Sequence, residues 1–169
     1  MQSDTHPYGC SQGPAALLLV LAPRQFFTQL SSKPCPVWRH LLSVSFTAAV
    51  LHFLSSQGWR DWFSSFIFYL NAVGMTCIYS ASVFFFARHI FRLPCSFGQV
   101  FSVCVCASLG PLLVSWIPGA IWVSEPWKWW TSAIGLSTCI PVGTCKAGMV
   151  IGVALGAIYI LFRVLLFIV

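Results

Sequence analysis

Few side chains in this sequence are of reactive types, and their arrangement along the chain argues against most catalysis. The three acidic residues, Asp4, Asp61 and Glu125, stand too far apart in sequence to suggest paired carboxylates for general acid and base work. His40 and His52 lie twelve residues apart, about 120° around a helix, so they do not face one metal or haem. His52 reads as an interfacial or helix-contacting residue, and His6 and His89 are isolated. The eight cysteines contain no C-x-x-C, and Cys104 and Cys106 diverge by about 200° on a helix, which argues against a zinc site or a disulfide framework. No glycine loop with a lysine is present to cradle phosphate, and no serine has an evident His/Asp partner. The expectation is a non-enzymatic protein with no catalytic residue, cofactor or metal. The polar groups left to consider are Asn71, Tyr159 and Arg163, which sit inside apolar stretches as candidate in-span contacts.

The elements that carry these groups are apolar helices. Of 169 residues 58% are hydrophobic and 7% charged, with a mean hydropathy of +0.84. Soluble domains carry about a quarter charged residues, so an ordinary soluble domain is excluded. The net charge of +6 comes from basic residues scattered singly, which mark topology rather than a nucleic-acid surface. The expected fold is an all-α polytopic transmembrane bundle of about five spans, at 37–56, 62–87, 98–116, 127–145 and 147–169. Gly110-Pro111 and Pro118-Gly119 should kink or end the third span, and Pro141 and Gly143 interrupt a short fourth one. Lys128 reads as interfacial. In the second span Ser64, Asn71 and Ser82 share one side and suggest a polar seam.

The last span carries Gly148, Gly152 and Gly156, which drift by only about 40° per step and form one stripe continued by Tyr159 and Arg163. Such a stripe suits close helix packing within a bilayer. Arg163 has two readings: it faces a bundle interior, or it snorkels from near the helix end to the membrane surface. A hydrogen bond between Asn71 and Tyr159 is expected, as the two residues fall at one depth in antiparallel spans. Ahead of the first span, residues 1–14 read as a disordered tail. Pro23 then opens a short helix that places Phe26, Phe27 and Leu30 on one face at the membrane interface, with an extended lead-in as the alternative.

Charge orients the bundle. Arg24, Lys33, Arg39, Arg88, Arg92 and Lys146 fall in one set of loops, and Arg60 and Lys128 in the other. Lysine and arginine favour the cytoplasmic side, so the N-terminus is expected inside and the C-terminus outside. The expected partners are the lipid bilayer and another membrane protein or a second copy, without nucleic acid. A small transporter or permease subunit that uses the polar in-span residues is the alternative function.

Three stretches resemble the Yip1 family of small multi-span membrane proteins. They are Pro23-Arg24-Gln25-Phe26-Phe27 with Leu30, Lys33-Pro34 and Trp38; Ser96-Phe97-Gly98-Gln99-Val100 with Pro111; and Gly135-Leu136 with Lys146-Ala147. The resemblance implies a five-span helical domain with no catalytic residues. In eukaryotes such proteins associate with Rab-type GTPases in traffic between endoplasmic reticulum and Golgi, and a bacterial-type member would lie in the cytoplasmic membrane.

Overall fold

The computed structural model describes residues 19, 21–32, 37–55, 61–114, 117 and 119–168. The expected tail at 1–14 lies outside them, as does part of the lead-in. Among the described residues there is no strand. Six α-helices form among the described residues: α1 Pro23–Ser32, α2 Val37–Ser55, α3 Asp61–Phe85, α4 Phe97–Val114, α5 Ile121–Cys139 and α6 Thr144–Ile168. The chain is therefore all-helical, as expected. Two helical stretches, Trp62–Ile90 and Thr144–Phe167, are long and apolar enough to cross a membrane, and Phe97–Leu112 is a shorter apolar one.

Short connections make α2 to α6 antiparallel neighbours in sequence order, an up-and-down arrangement. His52, near the end of α2, meets Ser65, near the start of α3. Phe84, near the end of α3, lies 5.5 Å from Phe97 at the start of α4. The centre is α4, which packs on α2, α3 and α5. Val100, Phe101 and every residue from Val103 to Ser108 are buried, so this helix is covered nearly all round. That enclosure explains why Pro111 does not end it. Proline removes one backbone bond, yet packing on three sides carries α4 on to Val114.

Other boundaries have local causes. Ser96 and Gln99 form a capping box at the start of α4: the Gln99 N–H donates to Ser96 Oγ at 3.3 Å, and the Ser96 N–H to Gln99 Oε1 at 3.0 Å. α5 begins at Ile121, well before the expected 127, and so takes Glu125 and Lys128 into its body. It stops at Cys139 because Ile140 precedes Pro141 and is pushed to an extended conformation, φ −121° and ψ 138°. α6 then starts at Thr144.

Between α3 and α4 the chain makes a π-helical turn over Phe86–Ile90, with the Phe91 N–H donating to Phe86 O at 3.0 Å. Arg92 then adopts a left-handed conformation, φ 50°, and the Leu93 N–H returns to Ala87 O at 2.9 Å. This resembles a helix-ending Schellman closure widened by the π register, with buried Ala87 and Leu93 supplying its apolar contact. The Arg88 guanidinium donates to Cys95 O at 3.3 Å and ties the loop down. Burial pushes the Cys95 thiol pKa up, and the Arg88 charge draws it back in part.

A left-handed residue with a Cβ costs roughly 1–2 kcal/mol, and glycine avoids that cost but loses about 0.5–1 kcal/mol to its extra chain entropy. Arg92→Gly should therefore stabilise the fold by about 0.5–1 kcal/mol in a detergent unfolding titration. Arg92→Val should destabilise it, because a β-branched side chain tolerates this backbone region least.

The expected role of α1 changes. Phe27, placed at the lipid interface by its sequence, is fully buried against the bundle, and Phe26 and Leu30 pack partly on the same core. The partner is α5, where Gly135 leaves room for the ring: a Cβ there would lie 2.8 Å from Phe27 Cζ and 2.6 Å from Val103 Cγ1. The apolar face of α1 is spent on protein rather than on lipid.

Candidate functional site

The chemically distinctive groups gather where α3, α4 and α5 meet. On α3, Thr76, Tyr79, Ser80 and Val83 recur every three or four residues and are all buried. On α4, Cys104 and Ser108 face inward, and on α5 so do Ser124, Thr131 and Ser132. Several hydroxyls satisfy themselves on their own helices: Thr76 donates to Ala72 O at 2.8 Å, Ser80 to Thr76 O at 2.7 Å and Ser108 to Cys104 O at 2.8 Å. Others do not. Tyr79 Oη lies beside Ser132, and Tyr79 Oη, Thr131 Oγ1 and Ser132 Oγ are buried without a well-formed hydrogen bond among the described residues.

An ion pair borders this seam. Lys128 Nζ lies 2.7 Å from Glu125 Oε1 and 2.6 Å from Oε2, one turn apart on α5, with the lysine side chain 19% exposed and the glutamate 34%. The same ammonium stands over the Tyr79 ring, 5.6 Å from its centroid. Lys128 is therefore not a surface anchor beside its tryptophan neighbours, as its sequence position suggests. It turns inward, because α5 starts early enough to place it in the second turn, facing α3. Lys128→Ala would leave the Glu125 carboxylate unpaired and remove the cation over Tyr79, a loss of about 1–3 kcal/mol. Lys128→Ala combined with Glu125→Ala should recover part of that loss in a double-mutant cycle followed by detergent unfolding.

The sequence-expected residues fall elsewhere. Asn71 is exposed, Ser64 is exposed and Ser82 is half-buried, so the expected Ser64, Asn71 and Ser82 seam turns outward; the buried polar side of α3 is Ser65, Thr76 and Ser80. Tyr159 is 63% exposed and no hydrogen bond joins it to Asn71; its ring lies 5.9 Å beneath the exposed Arg163 guanidinium. Gly148, Gly152 and Gly156 are all exposed, and a Cβ at each would meet nothing within 4 Å. Within the chain α6 packs instead through Ala147, Val150, Ile151 and Ala154, the adjacent face at the same helical period. His52 does contact a neighbouring helix, with Nδ1 3.2 Å from Ser65 Oγ and its ring stacked 5.0 Å from Phe68.

The seam on α5 has a sequence signal after all. Glu125, Lys128, Thr131, Ser132 and Gly135 recur at three- and four-residue steps, which is one polar and small face of a helix. Starting the helix at 127 hides it. Among the described residues, no three His, Cys, Asp or Glu side chains come together to hold a metal ion. The chain matches no family model, no curated protein and no solved structure.

Proposed function

We propose that this chain is an integral membrane protein of about five spans, with a cytoplasmic N-terminus, that works through helix–helix contacts with a membrane-protein partner or a second copy rather than by catalysis. It would lie in the cytoplasmic membrane of a bacterium or the endoplasmic reticulum and Golgi of a eukaryote, in the manner of the Yip1 family that it resembles. The observation that carries this reading is α6. In its most apolar window only 17% of residues are buried, and every described residue from Tyr159 to Phe167 is exposed. A 24-residue apolar stretch this bare suits lipid along most of its length, and its glycine face admits a neighbouring backbone.

The test uses the full chain in its native membrane with a photo-reactive residue at exposed Val153. A cross-linked species is expected, and Gly152→Leu should abolish it while the melting temperature of the purified chain does not fall. Reporters at residues 90 and 146 should lie in the cytoplasm and one at the C-terminus outside. The buried hydroxyl seam beside Glu125 and Lys128 favours the second reading, a small transporter. Solute-specific uptake into proteoliposomes, lost in Tyr79→Phe, would replace the first reading by the second.

A further inference from the structure

The antiparallel alternation of the helices brings most of the described cations to one end. α2 begins there with Arg39, α3 ends there in the π turn with Arg88 and His89, and Arg92 follows in the loop to α4. α5 ends and α6 begins at the same end, and the first turn of α6 carries Lys146; α6 and the π turn are in contact. α1 reaches the same region, because Phe27 O accepts from Cys139 Sγ, at the last residue of α5, at 3.8 Å, and Arg24 lies one turn from Phe27. Arg24, Arg39, Arg88, His89, Arg92 and Lys146 are all exposed. Of the described acidic residues, Asp61 begins α3 at the opposite end and Glu125 is paired with Lys128, so neither of them offsets this surface.

Two further features suit a membrane surface rather than bulk water. Trp38, 51% exposed, and Phe97, 45% exposed, stand at this end, both packed on Phe101, where aromatic rings anchor a helix at headgroup level. Arg92 occupies a left-handed position that glycine would fill with less strain, and the Arg88 bond to Cys95 O holds its loop in place. A strained cation held in a tethered loop points to a role for the charge itself.

We infer that this end is a docking surface for anionic phospholipid headgroups, with Arg88, Arg92 and Lys146 as its core; the inference rests on the membrane reading above. The cations take the net negative charge that zwitterionic lipids lack, and the aromatic rings set the depth of the headgroup plane.

The test reconstitutes the full chain in phosphatidylcholine bilayers doped with phosphatidylglycerol of matched acyl chains and measures the ratio of the two lipids retained by the purified protein. The wild-type chain should retain phosphatidylglycerol in preference, with the preference falling as salt is raised. Each of Arg88→Gln, Arg92→Gln and Lys146→Gln should lower the ratio by up to about five-fold. Arg163→Gln, near the other end of α6, should leave it unchanged. A wild-type ratio equal to the bulk composition, or one insensitive to salt, would overturn the inference without need of any variant. So would a ratio unmoved in the triple variant, or an oligonucleotide bound more tightly than the lipid by the same three cations. Release of the chain from membranes by alkaline carbonate is a different failure, since it removes the membrane reading itself.

Discussion

Gly135→Leu is expected to release α1 from the bundle and destabilise the chain by about 3 kcal/mol or more, toward and beyond the upper range for overpacked cores. The first new atom already has no room, lying 2.6 Å from Val103 Cγ1 and 2.8 Å from Phe27 Cζ. Val103 is 1% exposed and β-branched, so it has essentially one rotamer in a helix and cannot turn away. The Phe27 ring can move only if α1 moves with it. Glycine replacement in a helix gains about 1 kcal/mol in propensity, which is too little to offset the clash. Trypsin cleavage within α1 at Arg24 should accelerate, and resistance to denaturing detergent should fall. At Gly152 the same substitution meets nothing within 4 Å, so the propensity gain stands alone and the isolated fold should be unharmed. Equal damage at the two glycines would mean that α1 is not seated against α5 as described.

The second large effect is expected from Phe27→Ala. Truncating a buried phenylalanine costs about 3–5 kcal/mol, from lost transfer energy and from the cavity left behind. Here the cavity cannot close easily, because the facing residue is glycine and has no side chain to lean in. Part of the transfer energy is returned if α1 can lay its remaining apolar face on lipid, so the lower value, about 3 kcal/mol, is the expected one. The same loss of α1 protection from trypsin should appear as in Gly135→Leu. Phe27→Leu with Gly135→Ala should be better tolerated than the sum of the single changes, since the shorter side chain vacates space for the new methyl group.

The helical, apolar character of the chain and the bounds of α2, α3 and α4 are legible before any packing is known, because those properties are local. Low charge and long apolar runs leave few alternatives to apolar helices. Pro141 ends α5 by acting on the backbone of the residue before it, and Ser96 with Gln99 starts α4 by pairing with nearby N–H groups. Which face of each helix is covered depends instead on the shapes of the helices that meet it. On α6 the glycine face and the Ala147, Val150, Ile151 and Ala154 face are both small and apolar, and periodicity cannot rank them; the shape of α3 and α5 selects the second. On α1 an amphipathic face suits lipid and protein equally well by hydrophobicity. A single gap opposite Phe27, where Gly135 lies more than a hundred residues further along the chain, turned that face to protein. Lys128 shows the same limit, since its depth depends on where α5 starts and on Tyr79 arriving from another helix to receive it.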